Sequence, residues 1–476
     1  MAGRKGRRWL LTPLPLQGHI NPMLELAQIL YSEGFSITII HTTFNSPHPS
    51  NYPHFTFSCI QHGVSQTQSS DLLNFLLQLN VKCVEPFKDC VTKLLRSDEA
   101  AVEPVACLIS DAMCYFTQAV ADNLHLPRIV LRTAAISSYV AFLAYPLFRQ
   151  RGYIPTQDCI LEEEVKELAP LRVKDLPLIK TEEPEKYYEL LRNFLKETKA
   201  SLGVIWNSFE GLESPALRKL SKEFSIPMFP IGPFHKHLSS SSSSSSLISQ
   251  DQSCIAWLDT HPPNSVVYVS FGSLAAITET EFVELAWGLA NSRHPFLWVV
   301  RPGLIKGSEW VEALPSGFLE NLEGRGAIVK WAPQQEVLAH SAVGAFWTHC
   351  GWNSTLESIC EGVPMICMPI FTDQKVNARY VSHVWRVGLQ LEKRVEREEI
   401  QRIITTLMDV NGEAKEIRDR ALKLKEEAEL CLRQGGSSRS SLQALVTYIL
   451  SFDSFTSQPS SLYIPFRFAR KAIDDW

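Results

Sequence analysis

At 476 residues the chain is too long for a single hydrophobic core and is expected to form two or three domains. Its composition is 45% hydrophobic, 20% charged and 10% aromatic, which is that of a folded protein and excludes wholesale disorder. A formal charge of −5 excludes a general electrostatic attraction to nucleic acid or to an anionic membrane.

The first residues are basic (Arg4, Lys5, Arg7, Arg8), but Pro13 and Pro15 interrupt the apolar stretch that a signal peptide would need. Trp9–Thr12 reads as a strand, followed by a Pro/Gly loop and a helix. Asn21 is suited to cap that helix and Pro22 to open it, with Met23, Leu26, Ala27 and Leu30 repeating at helical spacing. Further strands are expected at Phe35–His41, Val105–Ser110, Arg128–Leu131 and Gly203–Asn207. The unbroken run Ser239–Ser246 cannot bury apolar surface, so residues 234–253 read as a linker after a first domain, 1–233. Beyond it Val266–Ser270 is a strand ending at Phe271-Gly272-Ser273. Thr278 and Glu281 form a capping box, and Phe282, Leu285, Ala286 and Leu289 mark the apolar face of the next helix. Strands at Phe296–Val300, Ala327–Lys330, Val343–Thr348 and Pro364–Met368 come after it. A charged amphipathic helix covers Glu413–Gln434, with Ile417, Ala421, Leu424 and Ala428 on one face, and ends at Gly435-Gly436.

Each half therefore starts strand–loop–helix–strand, the pattern of right-handed βαβ units on a parallel sheet. The expected fold class is α/β: two Rossmann-like, doubly wound domains facing each other across a cleft. The second spans 254–436, a last helix within 437–453 packs back on the first, and 454–476 form a tail. Eleven cysteines without a CxxC pair read as buried, reduced thiols rather than a disulfide or zinc framework. No stretch reaches about 18 uninterrupted apolar residues, so a cytoplasmic monomer without membrane insertion is expected.

In such sheets ligands bind beyond the carboxyl ends of the strands. His19 comes after the first strand there; it is either a surface-loop histidine or a general base, since imidazole titrates near neutrality. Gly18 beside it would allow close approach of a substrate. Asp111 closes the strand Val105–Ser110; it either caps the next helix or fixes the tautomer of His19. In the second half, His349-Cys350-Gly351-Trp352-Asn353 leads into a helix whose N-terminus suits a diphosphate. Ser354 and Glu357 fit a capping box, and Cys350 fits a packing role better than a nucleophilic one. Neither half carries the G-x-G-x-x-G and acidic residue of a nicotinamide dehydrogenase, and neither a P-loop nor a G-x-S-x-G elbow is present.

The stretch from Trp331 to Gln374, with HCGWNS and EGVPM between its ends, resembles the signature box of plant UDP-dependent glycosyltransferases. PLQGHINPM, SDAM, WNSFE, YVSFGS and GGSS occur in the order that this family shows. His41–Asn45, Asn51–Phe55 and Val173–Asp175 are most similar to the group with steviol-glycoside, cytokinin and benzoxazinone glucosyltransferases. The resemblance implies the GT-B arrangement and inverting transfer of glucose from UDP-glucose to a small apolar plant metabolite. It implies His19 as base with Asp111 as its relay, and an acceptor site including Gly18, His19 and Thr372, its pocket lined by residues near Ser137–Phe142 and around Leu191–Phe194. For the donor it implies Trp331 and Ala332 at uracil and Gln334 and Glu357 at ribose. His349, Gly351, Asn353, Ser354 and Ser273 would lie at the phosphates, and Thr133, Trp352, Asp373 and Gln374 at the sugar. No metal or other cofactor is implied. A UDP-sugar-binding protein with a dead site would keep the same box; a UDP-sugar epimerase would not carry it.

Overall fold

The computed structural model describes residues 6–61, 63, 71–97, 103–179, 181–237, 247–306, 310, 312–392, 395–409 and 411–452. The serine run 239–246, the tail 454–476, Arg4 and Lys5 lie outside the described residues.

The first sheet has seven strands: β1 (Arg8–Thr12), β2 (Ser36–Thr42), β3 (Thr56–Ile60), β4 (Val105–Asp111), β5 (Arg128–Arg132), β6 (Val204–Trp206) and β7 (Met228–Pro230). Their spatial order is β3-β2-β1-β4-β5-β6-β7, with every pair parallel. The second has six: β8 (Val266–Ser270), β9 (Phe296–Val299), β10 (Gly326–Val329), β11 (Val343–Thr348), β12 (Met365–Cys367) and β13 (Gly388–Gln390). Their order is β10-β9-β8-β11-β12-β13, again all parallel. The central strands are buried along their whole length, which is why β1, β5, β8 and β11 read as near-continuous apolar runs.

In each sheet the order reverses next to the first strand of its half, between β1 and β4 and between β8 and β11. A crevice opens at the carboxyl ends of strands at such a point, because the two chains leave towards opposite faces. The register sets the strand ends level: Thr12 lies beside Ser110, and Ser270 beside Thr348.

Two features differ from the sequence expectation. The first helix runs Gln17–Ser32, capped by Leu16 with no side-chain bond, so Asn21 is not its cap and Pro22 lies inside it. His19 is therefore in the first turn of the helix and not in a loop ahead of it. Proline inside a helix deprives the carbonyl four residues back of its donor; here that carbonyl is Gly18's, and Asn353 Nδ2 donates to it at 2.9 Å. The second feature is the helix Trp352–Glu361, which starts after Gly351 with no side-chain cap, so Ser354 and Glu357 do not form a capping box. Their side chains are used across the site instead.

The helix Ser437–Leu450 places Leu442, Leu445, Val446 and Ile449 in one core with Trp9, Leu11, Ile109 and Ile129 of the first sheet. Its Tyr448 hydroxyl donates to the Leu202 carbonyl at 2.8 Å. The chain thus returns to the first domain after completing the second. All eleven cysteines are free thiols.

Candidate active site

The crevices of the two sheets face each other and merge into one cavity of about 690 Å³. Every site residue expected from the sequence lines it, whereas Cys350 is fully buried.

On the first sheet, helix Gln17–Ser32 brings His19 over the end of β4. His19 Nδ1 lies 2.7 Å from Asp111 Oδ2, and the other carboxylate oxygen accepts the Met113 backbone N–H at 2.8 Å. Asp111 thus holds the imidazole while bracing the turn after β4; it does not cap the next helix, Thr117–Asn123, whose N-cap is Phe116 with no side-chain bond. The carboxylate is 1% exposed, whereas the His19 side chain keeps 25% exposure toward the cavity. Thr133 Oγ1 stands 2.9 Å from the same Nδ1. A carboxylate accepts from Nδ1–H, which leaves the Nε2 lone pair free to take a proton.

On the second sheet, Gly272 after β8 and Gly351 after β11 enclose the ring of His349. A Cβ at Gly272 would come within 2.6 Å of His349 Cε1, and one at Gly351 within 2.4 Å of Nε2. Gly272 also has φ +71°, which favours glycine. Burial lowers His349 to about 4, against the Ser270 backbone bond, which raises it. With no anion beside it the ring is therefore a neutral imidazole, whose N–H can donate to an oxyanion. The Ser273 loop opposite is held by Arg301, which donates through Nε to the Gly272 carbonyl at 2.9 Å and through Nη2 to that of Ala275. Helix Trp352–Glu361 starts without a side-chain cap, and its first residues Trp352, Asn353 and Ser354 line the same space, a natural seat for a diphosphate.

The Trp352 indole itself is turned away, donating to the Asn207 carbonyl at 2.7 Å. Gln334 Nε2 donates to Ser354 Oγ at 2.9 Å and to Glu357 Oε2 at 2.7 Å, while Trp331 and Ala332 form the adjoining wall. Burial raises the Glu357 carboxyl, opposed by its bonds from Gln334 and Gln335. Asp373 accepts from the Thr372 hydroxyl at 2.8 Å, and burial raises its carboxyl too. Gln374 Oε1 accepts the Ile370 and Phe371 N–H groups at 2.9 and 3.2 Å, so it can meet a ligand only through its Nε2 amide.

Two parts of the cavity go beyond the expected residues. Phe142, Leu191 and Phe194 line an apolar chamber beside His19 within the stretches expected for the acceptor, but helix Leu72–Lys82 adds Leu72, Leu73 and Leu76, and helix Pro184–Lys199 adds Tyr187 and Leu190. The second is the polar face of helix Gln17–Ser32: Gln17, Asn21, Glu25 and Gln28 all line the cleft. Their spacing opposite the apolar stripe was readable in the sequence. Glu25 Oε1 accepts from Gln335 Nε2 at 3.3 Å across the cleft. Burial and the nearby Glu357 raise its carboxyl to about 8, against the Gln335 bond.

A family model described as "UDP-glucoronosyl and UDP-glucosyl transferase" matches residues 35–417. The chain belongs to that family. It is 53% identical over 443 residues to UDP-glycosyltransferase 76B1 of Arabidopsis thaliana, covering 93% of this chain and 98% of the relative. It is 42% identical over 451 residues to the flavonol 3-O-glucosyltransferase UGT76E12 of the same plant, covering 93% and 97%. Among solved structures, that of Medicago truncatula UGT71G1 complexed with UDP-glucose superposes with a TM-score of 0.76 at 26% identity, covering 93% of this chain and 98% of that one. The UDP-sugar transferase has the GT-B fold. Among the described residues no helix is long and apolar enough to cross a membrane.

Proposed function

We propose that the protein transfers glucose from UDP-glucose to a hydroxyl of a small apolar plant metabolite of flavonoid or terpenoid size, releasing UDP and a β-glucoside. The observation that carries this reading is the 2.7 Å His19–Asp111 pair, set between an apolar chamber and the helix N-terminus of the opposite sheet. In this reading the acceptor hydroxyl gives its proton to His19 Nε2 as its oxygen attacks the anomeric carbon. The imidazolium formed is stabilised by Asp111. The bond to UDP breaks on the opposite side in the same displacement, so an α-linked donor yields a β-product. The leaving diphosphate is met by the N–H groups of helix Trp352–Glu361, neutral His349 and Ser273, so the reading calls for no metal. Trp331, Gln334 and Glu357 hold the nucleoside, and Thr133, Asp373 and Gln374 the sugar. Glucose as donor is supported by two relatives, one a flavonol glucosyltransferase and the other complexed with UDP-glucose.

The test is to incubate the protein with labelled UDP-glucose and a panel of hydroxylated apolar acceptors. A β-glucoside is expected, and His19→Ala is expected to lower its formation about a thousandfold while UDP affinity stays near the wild-type value. Turnover retained by His19→Ala removes the histidine from the mechanism. UDP-glucose binding with no glucoside from any acceptor favours a binding protein instead.

A further inference from the structure

Buried carboxyl groups away from the cavity have their donors built into the fold. Glu213 accepts the backbone N–H groups of Ile136 and Ser137 and the hydroxyls of Ser137 and Ser208. Asp175 accepts from the Arg172 backbone and guanidinium. Glu25 is served differently. It lies on the cleft face of helix Gln17–Ser32 and lines the cavity, yet among the described residues its one hydrogen bond is the 3.3 Å contact from Gln335 Nε2, and no cation pairs with it. That bond is long, and the Gln335 side chain is exposed, so a ligand can replace it with little loss. A carboxyl group enclosed with so few donors is poorly accommodated until a ligand brings some.

Its neighbour indicates which donors. The same Gln335 nitrogen also donates to Glu357 Oε1 at 3.1 Å, so Glu25 of the first domain and Glu357 of the second face each other across a single amide nitrogen. Glu357, bonded as well by Gln334, is the group assigned to the ribose in the reading proposed above. A ribose presents two adjacent hydroxyls, each a donor in need of an acceptor, and a carboxyl group on either side suits such a pair. The diphosphate is a poor match for Glu25, because two anions repel. We infer that Glu25 is a donor-specificity residue whose carboxyl group accepts a ribose hydroxyl of the nucleotide, so that both domains grip the nucleoside and ribonucleotide donors are selected over deoxyribonucleotide ones. The inference rests on the placement of UDP in the glucosyl-transfer reading and adds a residue of the first domain to the donor site.

Titration calorimetry with UDP, 2′-deoxy-UDP and 3′-deoxy-UDP tests it on wild type and on Glu25→Met, which keeps the side-chain length and loses the acceptor. Wild type is expected to bind at least one deoxy nucleotide about ten- to a hundredfold more weakly than UDP, and Glu25→Met to shrink that same penalty about tenfold. A merely structural role would weaken all three nucleotides alike and leave the penalties as they are in wild type, which overturns the inference. Wild type binding both deoxy nucleotides as tightly as UDP overturns it too. If Glu25→Met does not fold, Glu25→Ala gives the same comparison. Either refutation, with UDP still bound, leaves the glucosyl-transfer reading standing; absence of UDP binding by wild type counts against both.

Discussion

His19 is useful as a base only in the tautomer that carries its proton on Nδ1, and Asp111 is what enforces it. Asp111→Asn keeps the size and the Oδ1 acceptor for the Met113 N–H, so the fold should tolerate it. The amide then points its NH₂ at His19 Nδ1, which must become the acceptor. The proton moves to Nε2, the atom meant to receive one. We expect kcat to fall about 10³-fold or more with UDP affinity unchanged. Single-turnover kinetics, with ¹⁵N spectra of the imidazole to read the tautomer, would check both halves of this expectation. A wild-type rate from an enzyme shown to carry the Nε2–H tautomer would mean that the proton leaves by another route.

The phosphate loop shows the same economy at the level of an element. His349 is clasped by backbone on both sides, so its ring position depends on two absent side chains. Gly351 has an ordinary φ of −59°, and therefore a substitution there tests space alone. Gly351→Ala would put a Cβ 2.4 Å from His349 Nε2 with Gly272 closing the far side. The ring and the start of helix Trp352–Glu361 must then separate. Overpacking of this kind costs about 1–3 kcal/mol, so titration calorimetry should show UDP binding weakened about tenfold or more. Unchanged affinity would show that the ring gives way without consequence for the donor. This loop was legible in the sequence because glycines, a histidine and a helix start sit within a few residues. The buried central strands were legible as apolar runs. The strands that were not are all at sheet edges: β3 mixes exposed and buried positions, and β7 and β13 are three residues long. Asn21-Pro22 misled for a related reason. The pair has the chemistry of a helix start, but a tertiary bond from Asn353 satisfies the carbonyl that Pro22 leaves open.

The site exists only where the two domains meet, so the contacts that hold them in register also hold the chemistry. Asn353 reaches the Gly18 carbonyl, Trp352 that of Asn207 and Trp385 that of Leu212, while Ser138 donates to Asn377 Oδ1. Elsewhere between the domains, charge plays this part. Arg172 donates to both oxygens of Glu392 at 2.9 Å, and Lys174 joins them at 2.8 Å. Burial pushes the Glu392 carboxyl up, but the bonds from Arg172 and Lys174 outweigh it and hold the group at about 2. A folded-state value below the ordinary carboxylate range contributes stability that is present above that range and is lost only as pH falls toward about 2. The contact should therefore be at full strength from pH 5 to 8. Glu392 is about one-third exposed, so solvent screens the network and its contribution is modest, about 1 kcal/mol. Glu392→Gln is accordingly expected to lower Tm by roughly 1–2 °C in dilute buffer. That difference should not vary between pH 5 and 8, and it should shrink in 0.5 M salt, where the screening length falls to about 4 Å. Thermal melts of the two proteins across those conditions check the assignment. A gap that ignores salt would mean that Glu392 holds the domains through packing and hydrogen-bond geometry rather than through charge.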